Sequence, residues 1–226
     1  MTVSRRTLAR LATTLAATAA LGTALPAFAA DPRVKFVTSE GDFVVELYPD
    51  KAPKTVENFL QYVKDKHYDG TIFHRVIKNF MVQGGGYDKD YKQRPTRPTI
   101  KHEGREALAK GLKNDVGTVA MARTGDPHSA TSQFFINVVD NTRLDPVILP
   151  PGDPVTFEFQ GQVQKDIPRK NVENHPALFG YTVFGKVVSG MDTVEKIRNT
   201  PTGPGGPFPT DAPQKQVVIQ SATLVK

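Results

Sequence analysis

Phe73-His74-Arg75-Val76-Ile77-Lys78-Asn79-Phe80-Met81-Val82-Gln83-Gly84-Gly85-Gly86 sets one permanent cation among large apolar side chains and closes on three glycines. The β-branched and aromatic content of 71–76 and 80–83 reads as two strands, with Lys78-Asn79 between them. A second run of the same character follows in Ser132-Gln133-Phe134-Phe135-Ile136-Asn137-Val138. Successive side chains of a strand point to opposite faces, so Phe134 and Phe135 cannot both enter one core. Together the two runs suggest an apolar pocket with Arg75 at its lip and Gln83 and Gln133 as neutral hydrogen-bonding groups. That chemistry grips a peptide and polarises an amide; it supplies no nucleophile for cleaving a bond.

Working outward, most of the chain reads as strand. Segments 34–38 and 43–47 flank Ser39-Glu40-Gly41-Asp42 as a hairpin, and 118–122, 134–138, 182–187 and 217–224 are further candidates. Val56, Phe59, Leu60 and Val63 recur at helical spacing behind Pro53, and a shorter helix is expected around Met191, Val194 and Ile197. Many strands with two amphipathic helices fit a mainly β protein, a closed antiparallel barrel capped at its ends. The Pro/Gly-rich stretch 201–213 is expected to be a loop. A larger break, 146–179, contains Pro146, Pro150, Pro151, Pro154, Pro168 and Pro176, with 155–159 alternating like a short edge strand inside it.

The chain has 226 residues and no cysteine, so disulfides and thiol catalysis are excluded and one core-bearing domain is expected. Residues 1–29 read as an export signal. Arg5, Arg6 and Arg10 precede an Ala/Leu/Thr run, and Ala27-Phe28-Ala29 offers a small-x-small cleavage pattern. Ser4-Arg5-Arg6-Thr7-Leu8 resembles a twin-arginine signal, with the general secretory route as the alternative. Thr13, Thr14, Thr18, Thr23 and Pro26 make a poor membrane span, so no stable insertion is expected after cleavage. The expected location is the periplasm or the extracellular space. Removing the segment lowers the basic count from 29 to 26 against 23 acids, which gives no reason to invoke nucleic acid.

The two opening runs, with Gly117-Thr118-Val119-Ala120-Met121-Ala122-Arg123 and Tyr181-Thr182-Val183-Phe184-Gly185-Lys186-Val187, resemble the cyclophilin family of peptidyl-prolyl isomerases, in particular its exported bacterial members. The resemblance covers the chain from about Val34 onward with one interruption, the excursion 146–179. It implies a closed eight-stranded antiparallel β-barrel capped by two α-helices over 30–226. It implies acceleration of X-Pro rotation in folding exported proteins, with Arg75 catalytic and donating toward the twisted prolyl amide. By the same resemblance Phe80, Met81, Phe135 and Leu144 form the proline pocket, and Gln83 bonds the substrate backbone. Ala122 and Arg123 offer backbone groups, Gln133 lies in the adjoining polar wall, and Tyr181 takes a place where relatives carry histidine. The implied partners are proline-containing peptides and unfolded or partly folded exported proteins, bound by a monomer without cofactor or metal. Where the family generally has an aromatic just before Leu144-Asp145, this chain has Arg143, which predicts weak cyclosporin inhibition.

Other readings of the same residues compete. A lone arginine between β-branched residues is usually a surface salt-bridge partner, and paired phenylalanines are more often core than pocket. The three glycines lack a G-x-G-x-x-G spacing and read as a tight turn rather than a phosphate cradle. His67, His74, His102, His128 and His175 lack metal-ligand spacing, and no G-x-S-x-G elbow supports Ser129, Thr131 or Ser132 as a nucleophile. A non-catalytic proline-segment binder or chaperone, with the long excursion making its contacts, is the alternative from a different class.

Overall fold

The computed structural model describes residues 31–225; the export signal expected over 1–29 lies outside the described residues. Eight strands form one antiparallel sheet: β1 (Arg33–Thr38), β2 (Gly41–Leu47), β3 (Thr71–Ile77), β4 (Met81–Asp88), β5 (Thr118–Met121), β6 (Phe134–Asn137), β9 (Val183–Ser189) and β12 (Ile219–Val225). The order across the sheet is β12-β1-β2-β9-β5-β6-β4-β3. Alternation decides what each strand buries. Val34, Phe36 and Thr38 of β1 and Phe43, Val45 and Leu47 of β2 are buried, and Phe36 stacks on its cross-strand partner Phe43 at 4.8 Å.

The ladder does not close as expected. Its outer strands β3 and β12 meet only through an isolated bridge, Ile72 to Val218, with Gly70 N–H donating to Ile219 O at 2.7 Å and Phe73 N–H to Val217 O at 2.9 Å. The sheet is therefore an open half-barrel. Register shifts flank the seam, in the β3–β4 pairing between Thr71 and Phe73 and between Phe73 and Arg75, and in the β1–β12 pairing between Val37 and Thr38, where β12 carries the extra residue.

Among the described residues there are four α-helices where two caps were expected: α1 (Pro53–Lys64), α2 (Gly104–Ala109), α3 (Arg169–Val172) and α4 (Met191–Arg198). Six- and four-residue helices are too short to show a periodic face, so α2 and α3 leave no pattern to read. Helix α1 buries Val56, Phe59 and Val63 at the predicted spacing. Its N-cap position holds Ala52, which has no side-chain acceptor, and the carboxylate of the remote Glu103 takes over. Glu103 accepts from Lys54 N at 3.1 Å and from both Thr55 N and Thr55 Oγ1 at 2.8 Å.

The stretch 201–213 is a hairpin rather than a loop: β10 (Thr202–Gly205) pairs with β11 (Phe208–Pro213). Proline is compatible with such a two-stranded ribbon because its missing N–H can face outward. Phe208 anchors the hairpin, lying 5.2 Å from His74 and 5.1 Å from Tyr87 ring to ring.

The excursion 146–179 also has structure of its own. Strand β7 (Val155–Phe159) matches the expected edge strand and pairs with β8 (Gln162–Ile167), which the sequence did not announce because Lys165 and Asp166 break its alternation. Val155, Phe157 and Leu178 form a small cluster separate from the main core, flanked by Val147, Leu149, Phe159, Ile167 and Val172. The base of the excursion is pinned. Val147 N–H donates to Leu178 O and Tyr181 N–H to Leu144 O, both at 2.9 Å. Gly180 sits there at φ +58°, where a Cβ would collide with the backbone of Leu144 and Pro146.

Candidate active site

A bulge in β3 creates the site. Phe73 pairs with Gly84 and Arg75 with Gln83, so β3 spends one extra residue, His74, against the next step of β4. Without it Arg75 would share the face of Phe73, which packs inward against Phe43 and Phe134. With it, Arg75, Gln83, Phe135 and Ala120 become successive cross-strand partners on the outer face of β3, β4, β6 and β5. Met81 lies one row along, opposite Ile77 and Asn137.

Phe134 and Phe135 divide as alternation requires. Phe134 is fully buried among Phe36, Phe59, Tyr68 and Phe73, with centroids 5.5 to 6.2 Å away. Phe135 meets Tyr181 edge to face at 5.4 Å on the opposite side of the sheet.

The polar groups form one line. Gln83 Nε2 donates to Gln133 Oε1 at 2.9 Å, and Arg75 Nη1 reaches Gln83 Oε1 at 3.5 Å. Arg75 is 41% exposed at its side chain, and its Nε stands 3.9 Å from the Asp211 carboxylate on β11. A guanidinium carries five donors, so most remain available for a ligand. Asp211 escaped the sequence reading because it lies in the stretch taken for a loop.

The other predicted residues fall around this row with different freedoms. Phe80 is in the β3–β4 turn rather than in a strand, and the Arg143 guanidinium lies over its ring at 5.0 Å. Leu144, half-buried, ends a 3-10 turn, Thr142–Leu144. Ala122 spends its N–H on Gln133 O at 2.9 Å. The Arg123 side chain braces the excursion's return, donating to Gly180 O at 2.9 Å and lying 4.8 Å over the Tyr181 ring. Its backbone N–H and carbonyl make no hydrogen bond among the described residues.

A buried amide network, invisible in the sequence, fixes the pocket's far side. Asn141 Nδ2 donates to Phe80 O and to Asn137 Oδ1, both at 2.8 Å. Asn137 Nδ2 donates on to Thr118 Oγ1 at 3.0 Å and Asn114 Oδ1 at 3.2 Å, and Asn114 N–H donates to Asp145 Oδ1 at 2.8 Å. The network ties the Phe80 turn to the segment that carries Leu144.

Among the described residues the two buried histidines, His74 and His102, are held on the neutral side. His74 lies under the bulge against Tyr87 and Phe208, and burial pushes its pKa down to about 4. His102 is likewise held at about 4 by burial, with the Arg123 charge adding to the effect. Among the described residues no group of three or more His, Asp or Glu side chains could hold a metal ion. The geometry can bind an apolar ring against Met81 and Phe135 while pointing fixed donors at an adjacent amide.

Residues 33–224 match the family model described as cyclophilin type peptidyl-prolyl cis-trans isomerase/CLD. The chain is 44% identical over 191 residues to peptidyl-prolyl cis-trans isomerase B of Escherichia coli strain K12, covering 84% of this chain and 98% of that protein. It is 43% identical over 226 residues to peptidyl-prolyl cis-trans isomerase A of Dickeya dadantii, covering 99% and 100%. Among solved structures, a cyclophilin-type isomerase of Cryptosporidium parvum superposes with a TM-score of 0.60 at 23% identity, covering 87% of this chain and 98% of that one. The same Cryptosporidium protein has also been solved in the presence of the dipeptide Ala-Pro.

Proposed function

We propose how this site works from one premise: the chain belongs to the cyclophilin-type peptidyl-prolyl cis-trans isomerase family and is a peptidyl-prolyl cis-trans isomerase. Rotation about X-Pro is slow because the amide bond has partial double-bond character. At the top of the barrier the prolyl nitrogen recovers its lone pair. A site that binds this twisted form better than either planar one accelerates rotation without making or breaking a covalent bond.

The observation that carries the mechanism is the outward row Arg75–Gln83–Phe135 produced by the His74 bulge. Met81, Phe135, Phe80 and Leu144 hold the ring, and Arg75 donates to the prolyl amide as it pyramidalises. Gln83, oriented by Gln133, accepts or donates along the substrate backbone, while Ala122, Arg123 and Tyr181 line the side toward the residues before proline. A non-catalytic binder would need the apolar pocket but not the cation. A protease-coupled isomerisation assay on a short X-Pro peptide separates the two: rate enhancement that vanishes in Arg75→Ala supports the mechanism, and full activity in that variant overturns it.

The protein acts on exported chains in this reading. The support is the residue pattern of 1–29, basic at its start and ending in Ala27-Phe28-Ala29. Among the described residues no helix is long and apolar enough to cross a membrane. N-terminal sequencing of protein recovered outside the cytoplasm should start at Ala30, leaving an isomerase domain over 30–226 with the excursion 146–179. Sedimentation should show a monomer.

A further inference from the structure

The excursion and the turn Thr142–Leu144 enclose a cleft of about 1110 Å³, lined among others by Arg143, Leu144, Ile148, Pro150, Glu158 and Phe159. Its volume exceeds what one side chain or a small ligand fills. Leu144 belongs to the proline pocket, and Arg143 lies over the Phe80 ring. The cleft and the proline pocket therefore share a wall, and a polypeptide leaving the pocket across that turn enters the cleft directly.

Its construction suits an extended chain. Residues 156–161 line it in an unbroken run, and because successive strand side chains alternate in direction, an unbroken run means the cleft follows the edge of β7 rather than one face. Among the described residues β7 makes backbone hydrogen bonds only to β8, so its other edge offers unpaired N–H and C=O groups. Beside that edge Ile148 is 52% exposed, an apolar side chain with water on it. Glu158 is exposed and has no ion-pair partner among the described residues. An edge strand, an uncovered apolar residue and a free charge are the elements of strand-addition recognition, in which backbone bonds give affinity and alternate side chains give selectivity.

We propose that this cleft is a second subsite for the substrate polypeptide: an extended segment flanking the isomerised proline lies along the free edge of β7, with an apolar side chain on Ile148 and a basic one facing Glu158. The proposal rests on the isomerase reading of the neighbouring pocket. It makes the excursion a grip on long, unfolded chains, which a tetrapeptide is too short to reach.

The test compares the full chain on an X-Pro tetrapeptide and on the same core extended by six residues at each end, with lysine or with glutamate in the flanks. The parent should show kcat/KM for the lysine-flanked peptide at least about fivefold above the tetrapeptide, expressed in KM, as expected for remote contacts made equally in ground and transition states. Ile148→Asp should bring that ratio close to one with unchanged tetrapeptide turnover. Glu158→Lys should lower the lysine-to-glutamate preference, again sparing the tetrapeptide. Equal rates on long and short peptides in an active parent, or an advantage that survives both substitutions, would overturn the subsite and leave the isomerase intact. An inactive parent on the tetrapeptide would overturn both. If sedimentation shows self-association that Ile148→Asp abolishes while the long-peptide advantage stays, a second copy covers the cleft and the proposal fails.

Discussion

The sheet wall that carries Arg75 and the excursion over 146–179, proposed to grip one substrate chain together, hold their side chains by different means. Behind the wall, Phe134 touches four aromatic rings and is fully buried, so every outward residue of β3, β4 and β6 stands on a close-packed floor. Beneath the excursion only Val155, Phe157 and Leu178 are buried together, and order comes from hydrogen bonds at its base, such as Val147 to Leu178 and Arg105 Nη1 to Glu173 O. The difference matches the two proposed tasks. Stabilising a twisted amide needs donors fixed within fractions of an ångström, whereas gripping unfolded chains tolerates a surface that opens locally.

The contrast is open to direct attack by cavity-forming substitutions. Phe134→Ala should cost about 3–5 kcal/mol of global stability, the usual range for a buried phenylalanine in a packed core. Phe157→Ala, in a cluster too small to collapse against much, should cost under about 2 kcal/mol, with the loss confined to local opening. Denaturant unfolding gives the first comparison and amide exchange the second. Equal global losses would mean that the two regions unfold as one unit and the contrast is wrong.

Chemistry should divide the regions as cleanly. Arg75→Ala is expected to lower kcat/KM by about 10²–10³, the magnitude found on removing a preorganised donor from a transition state. Its midpoint of unfolding should be almost unchanged, since the side chain is partly exposed and its Asp211 contact is long. Arg75→Lys should recover only part of the rate, because a point charge lacks the planar fork. Replacing 146–179 by a short Gly/Ser link should leave the tetrapeptide rate near the parent's.

How much of this was legible follows from the kind of signal each residue leaves. The period-two runs of β1 and β2 and the i, i+3, i+4, i+7 pattern of α1 could be read because burial repeats along them. Arg75, Gln83 and Phe135 were legible as a set, and the structure brings them into one row. What makes that row, the bulge at His74, was not legible, since one extra residue in a strand changes no composition. Glu103 as the cap of α1 and Asn141 under Phe80 act across 48 and 61 residues of chain. Contacts of that separation leave no local pattern. The hairpin β10–β11 was hidden by its own prolines and glycines, and Asp211 with it.

Acidification probes both regions at once through two buried histidines. His74 sits under the wall and His102 meets Phe179 of the excursion edge to face at 5.5 Å. Both have pKa values of about 4 in the folded protein, below the unfolded value of about 6.5. The unfolded state therefore binds more protons between those values, so stability is complete above about pH 6.5 and falls as pH drops toward 4. The loss should be about 2 kcal/mol per histidine by pH 5, read from denaturant midpoints. The isomerisation rate itself should stay nearly flat from about pH 6 to 8, because no step assigns a proton to any group. A tenfold change across that window would implicate a titrating residue in the chemistry.

Arg143 stands on the boundary between the two regions, stacked over Phe80, at the position where the sequence resemblance leads one to expect an aromatic. Arg143→Trp should tighten cyclosporin binding by about tenfold, equivalent to about 1.4 kcal/mol, as an aromatic anchor replaces a hydrated cation. Titration calorimetry on parent and variant measures it. A parent that already binds as tightly as the variant would show that this position does not set inhibitor affinity.

The smallest effect is expected at Asp211, and its size is informative because it ranks the contacts of Arg75. The carboxylate stands 3.9 Å from Nε with both side chains about a third or more exposed, so water screens the pair and its worth is at most about 1 kcal/mol. Gln83 Oε1 stands 3.5 Å from Nη1, nearer than the Asp211 carboxylate stands to Nε, so it should orient the guanidinium more than Asp211 does. Asp211→Asn keeps the shape and removes the charge. It should lower kcat/KM by no more than about fivefold, within the range of an exposed ion pair, and leave the unfolding midpoint in place. The parent's rate should also fall slightly with added salt while the variant's does not, since only the parent has a charge pair to screen. A loss in Asp211→Asn as large as that in Arg75→Ala would mean that the hairpin β10–β11 is part of the catalytic wall, and that the site is built from two sheets rather than one.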